Sequence, residues 1–137
     1  MKRQKGQVIV EFALVLPFFL LVVFGIIYFG FCFKDYIALS NVARSSAREA
    51  AVGVDYEKIK NYYRSNTNLT TGVYTWSGEG DSFVIEKGND THDSVKVTIK
   101  TTLNTEFPAY GLMKTISFPS EYKIEYSMHD ETARSES

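Results

Sequence analysis

The chain has 137 residues, a net charge of −1 and a single cysteine. That length leaves room for one small domain plus a membrane segment, and the charge does not favour nucleic acid as a partner. One cysteine excludes an intramolecular disulfide and a Cys-rich metal site, so packing or neighbours must hold any exported part together.

The N-terminus is a short basic leader, Met1 to Gly6, carrying Lys2, Arg3 and Lys5. Gln7-Val-Ile-Val10 follows, then Glu11, then an uncharged run from Phe12 to Phe33. That run has 22 residues, 16 of them Leu, Ile, Val or Phe, which is long enough to cross a bilayer. At roughly −0.3 to −0.6 kcal/mol each, these residues favour insertion by about 5–10 kcal/mol, which outweighs one carboxylate at the end of the run. A cleaved secretory signal has a shorter apolar core with a small-x-small site directly after it; here Ala38-Leu39-Ser40 comes only after the charged Lys34 and Asp35. A retained transmembrane helix over 7–33 is therefore predicted. From Lys34 onward there are 12 Lys/Arg against 15 Asp/Glu, a balance of −3. With the basic leader, this predicts a cytoplasmic N-terminus and an exported C-terminal part. Pro17 removes one helical hydrogen bond, which neighbours can make good in a membrane.

Helical signals continue over 34–53. Ile37, Ala38, Val42, Ala43, Ala47, Ala50 and Ala51 recur at spacings of three and four, and Gly53 is a stop signal. One helix from Gln7 to Val52 would be about 69 Å long. Its small-residue stripe, Ala43, Ser46, Ala47 and Ala50, permits close approach of another backbone or packing on the chain's own sheet; the sequence leaves both open. Asp55 is positioned to cap a short second helix from Tyr56 to about Ser65, with Ile59, Tyr62 and Tyr63 as its apolar side. The stretch 66–80 is rich in Asn, Thr, Ser and Gly and reads as turns around a strand at 73–76. Strands are expected at 82–87 and 94–102, with a loop at 88–93 between them. A further alternation runs over 116–126. The apolar segment 107–113 is a loop or short helix over the sheet edge, and 130–137 is a loose polar tail. The expected fold is α+β: a long N-terminal helix whose first half is transmembrane, a short second helix, then a small antiparallel sheet with one wet face in an exported domain over 54–129.

Catalysis has little to stand on. His92 and His129 belong to no ligand-spaced pair, and surface histidines without a task are commoner than ligands. Asn89-Asp-Thr-His-Asp93 lacks the central Gly and terminal Glu of a calcium loop and reads as a solvated turn. Asn68-Leu-Thr70 and Asn89-Asp-Thr91 match the glycosylation sequon, a frequent accident in such loops, and Gly78-Glu-Gly80 lacks the rest of a phosphate loop. No enzymatic activity, cofactor or metal is expected. Glu11 stands apart, because a carboxylate in hydrocarbon is expensive and marks a function or a specific partner unless it snorkels to the boundary. Cutting after Gly6 would place a new α-amino cation on Gln7, able to pair with the Glu11 of a neighbouring parallel helix and set its register.

The run Gly6-Gln-Val-Ile-Val-Glu11 resembles a class of type IV prepilin processing site. The longer stretch through Pro17 and Phe24-Gly-Ile-Ile-Tyr-Phe-Gly30 to Ala51 resembles TadE-like proteins, the minor pilins or pseudopilins of tight-adherence (Flp/Tad) pili. The resemblance covers about 6–51. It implies cleavage between Gly6 and Gln7 by a prepilin peptidase, an aspartic membrane protease, with Glu11 as the recognition and assembly carboxylate. It also implies other pilin or TadE/TadF-like subunits and a pilus assembly platform as partners. The location implied is the cytoplasmic membrane, crossed once, with the C-terminal domain outside and possible passage into a surface pilus. Gln7 and Ile9-Val10 depart from the Phe and Thr-Leu of secretion-system pseudopilins, and the chain is far longer than major Flp pilins. Asp35 stands near the end of the run, where many relatives carry an acidic residue. The rival reading is an untrimmed, signal-anchored extracytoplasmic binding or sensor domain.

Overall fold

The computed structural model describes residues 2–66, 70–87, 94–115 and 117–131, with side chains from Gly6 onward. One helix, α1 (Lys2–Ala51), runs unbroken for 50 residues, about 75 Å. It begins before the expected Gln7: a single glycine costs a helix about 1 kcal/mol and does not stop it, and Pro17 is likewise carried inside. It ends as the sequence implies. Gly53 takes φ 87°, its N–H donates to the Ala50 carbonyl at 3.1 Å, and the Val54 N–H donates to Glu49 at 3.0 Å, which is a Schellman cap. α2 (Tyr56–Ser65) opens on Asp55, whose carboxylate accepts the Glu57 N–H at 2.8 Å.

Four antiparallel strands follow: β1 (Tyr74–Thr75), β2 (Phe83–Lys87), β3 (Ser94–Leu103) and β4 (Glu121–His129). β3 is the hub. One of its edges is taken by β4 from Ser94↔His129 to Thr102↔Glu121; the other is shared by β2 and the two residues of β1. A short helix, α3 (Tyr110–Thr115), lies between β3 and β4. β4 starts later than the alternation from 116 implied, because Ser117 adopts φ 56° and Pro119 has no N–H for the ladder. Ile116 itself is outside the described residues.

Alternation gives the sheet one dry face. Val95, Val97 and Ile99 of β3, Phe83 and Ile85 of β2 and Ile124 of β4 join one core with Leu39, Val42, Ala43, Ala47 and Ala50 of α1 and Ile59 and Tyr63 of α2. Glu121, Lys123 and Glu125 of β4 are exposed, and Glu125 pairs with Lys96 at 3.1 Å and with Lys123. These two lysines hold the Glu125 carboxyl below its ordinary value, mainly through hydrogen bonds. The second half of α1 is thus a structural element of the domain. Asp130, expected in a loose tail, is buried instead: its carboxylate meets Lys87 at 2.9 Å, and the next residue, Glu131, donates its N–H to the Ala51 carbonyl at 3.0 Å. Residues 132–137 lie outside the description.

Candidate processing and assembly site

From Gly6 to Val22 every residue of α1 is exposed, including Val8, Phe12, Phe18 and Leu21 at 65–68%. So much contiguous apolar surface requires a cover that the described residues do not provide. The helix is long and apolar enough to cross a membrane, and none of its most apolar window is buried.

On this bare rod the predicted site residues fall in a simple order. Gln7 and Glu11 are four residues apart, so they share a face, with Glu11 about 6 Å further along. Gly6 precedes them by one position and lies off that face. A Cβ built on Gly6 meets nothing within 4 Å, so nothing in the fold requires glycine there. The same is true of Gly25 and Gly30, and open space alone does not mark a cleavage site. What sets Gly6 apart is its context, with basic residues before it and a carboxylate one turn beyond the next residue. The side chains of Lys2, Arg3 and Lys5 are outside the description, although their backbone belongs to α1.

The small-residue stripe is placed differently. Ala43, Ser46 and Ala47 are fully buried and Ala50 is 3% exposed. They face the chain's own sheet, one of the two uses the sequence left open. The Ser46 hydroxyl is buried with no hydrogen-bond partner among the described residues.

Sequence reasoning did not assign a role to Asp35. It is fully buried where α1 enters the domain. Its carboxylate accepts the Thr71 N–H at 2.5 Å, the Thr71 hydroxyl at 2.7 Å and the Tyr74 N–H at 3.3 Å. The approach to β1 is thereby tied to the helix. Around this tie a second core gathers Val73, Tyr74, Leu103 and Met113, with Tyr28, Cys32 and Phe107 packed against it. Burial, with lesser effects from Cys32 and Asp35, pushes the Tyr74 phenol up to about 12; its hydroxyl donates to the Pro119 carbonyl at 2.9 Å.

His129 is exposed at the end of β4; His92, the 88–93 loop and both sequon asparagines lie outside the described residues. Among the described residues no group of three or more His, Cys, Asp or Glu could hold a metal ion.

A bare apolar helix long enough to cross a membrane, carrying a small α+β head, fits single-pass anchoring. Over residues 6–48 the chain matches the family described as TadE-like protein. That match spans the rod, the Gly6–Glu11 site, Asp35 and most of the stripe, in agreement with the resemblance read from the sequence. No curated protein and no solved structure matches the chain.

Proposed function

We propose that the chain is a non-enzymatic minor pilin or pseudopilin of a tight-adherence apparatus. It is anchored by α1 in the cytoplasmic membrane with its domain outside, trimmed after Gly6 by a prepilin peptidase, and then enters pilus assembly or adhesion. The observation that carries this reading is the spacing of Gln7 and Glu11, one turn apart on an uncovered apolar helix directly after a basic leader. The family match over 6–48 supports the pilus context.

In this reading the chemistry is electrostatic. Trimming removes three leader charges and leaves one ammonium at the positive end of the helix dipole, where a carboxylate one turn on is favourably placed. At the edge of the hydrocarbon each charge alone is costly; a pair formed with a sister helix relieves both and fixes axial register.

Mass spectrometry of the membrane-bound chain, with and without the peptidase, tests the first step. A terminus at Gln7 that appears only with the enzyme is expected; an intact Met1 leader in both samples favours the untrimmed anchor. Glu11→Ala tests the second. Pilus incorporation should fall while membrane anchoring persists, and unchanged piliation would refute the assembly role.

A further inference from the structure

The segment after β3 carries apolar surface that the fold leaves uncovered. Leu112 of α3 is 68% exposed, while its neighbours Ala109 and Met113 are buried. Phe107 reaches the apolar run of α1, meeting Tyr28 edge-on with ring centroids 5.7 Å apart. Beside that contact a cleft of about 620 Å³ lies open, walled on α1 by Leu20, Phe24 and Tyr28 and on the other side by Leu112, Met113 and Phe118.

Depth decides what fills it. At 1.5 Å per residue, Leu20 and Tyr28 stand about 14 and 26 Å beyond Glu11 along the helix. With Glu11 at the inner edge of a hydrocarbon layer about 30 Å thick, the cleft opens within the outer leaflet. At that depth the surrounding medium is lipid chains. Lys34, the first charge after the run, and Lys114, in the last turn of α3, are both exposed cations suited to the phosphate layer above.

We propose that the 107–115 segment, together with Phe118, is a membrane-embedded foot of the domain, and that a phospholipid acyl chain of the outer leaflet occupies the cleft between it and α1. The proposal rests on the reading of α1 as a membrane anchor and adds a second point of insertion to it. Because α1 runs unbroken into the domain core, the foot and the rod would then hold the domain against the bilayer as one rigid unit.

The test uses the full chain in phosphatidylcholine vesicles, in a Cys32→Ser background, with nitroxide labels introduced singly by Phe18→Cys, Leu112→Cys and Lys100→Cys. Phe18, Leu112 and Lys100 are all exposed, so labelling leaves the core intact. Each label's accessibility is measured to oxygen, which concentrates in hydrocarbon, and to a water-soluble nickel chelate. The label at 112 is expected to match that at 18, with an oxygen-to-nickel ratio at least tenfold above that at 100. Nickel access at 112 with lipid behaviour at 18 overturns the foot and leaves the anchor standing. Nickel access at 18 overturns the anchor and the foot together. A label at 112 closed to both reagents means that protein covers the cleft, and this overturns the lipid occupant.

Discussion

Asp35 is a carboxylate taken wholly out of water, and it is stable there because two backbone N–H groups and one hydroxyl point at it. Asp35→Ala strands the N–H of half-buried Thr71 and that of buried Tyr74 and should destabilise the domain by about 2–4 kcal/mol in thermal or denaturant unfolding. Ser46 presents the opposite case. Its hydroxyl is buried with no partner among the described residues, so Ser46→Ala should stabilise by about 0.5–2 kcal/mol in the same assay. Tyr74 makes stability depend on alkaline pH. From the ordinary phenol value of 10 up to about 12, the folded chain keeps a proton that the unfolded chain has released. Stability from this group is therefore complete below pH 10 and falls as the pH rises towards 12. Tyr74→Phe should flatten the fall in melting temperature over that window while costing about 1 kcal/mol at neutral pH for the lost bond to Pro119. None of these roles is legible from local sequence. The partners of Asp35 lie 36 and 39 residues away in a Thr- and Gly-rich turn, and only the fold brings them together.

Elements whose signals are local were readable. The spacing of Ala43, Ala47 and Ala50, the glycine stop at 53, the Asp55 cap and the alternation of Val95, Val97 and Ile99 each state a period or a boundary that the backbone then adopts. The failures lie where two weak signals compete. The alternation from 116 looks like strand, yet Pro119 delays pairing until Glu121. Asp130 looks like tail, yet Lys87 holds it against the sheet. The stripe itself was ambiguous because small residues serve any close contact, whether with a sheet or with a second helix. Its burial gives a sharp expectation. Ala47→Leu forces three extra carbons into a fully closed helix–sheet contact and should cost about 1–3 kcal/mol or more in the same unfolding assay. An unchanged melting temperature would show that the helix can lift from the sheet.

The whole molecule joins a rod that water cannot tolerate to a head that water can. Its anchoring has a margin. A single arginine at the middle of the apolar run costs about 2.5–3.5 kcal/mol against roughly 5–10 favourable, so Leu20→Arg should still pellet with membranes after alkaline extraction. Release of that variant into the soluble fraction would show that the run is a weaker anchor than its composition states. The hub position of β3 also has a consequence for how the molecule is made. α1 is complete after 51 residues, yet the strands that cover its stripe end at residues 103 and 129. At about 5–20 residues per second, that covering surface arrives roughly 4–16 s after the helix has formed. During those seconds Ala43, Ser46, Ala47 and Ala50 are bare on a tethered rod. The stripe gains its cover only once β3 and β4 have both been made, so the head closes over the helix late in synthesis.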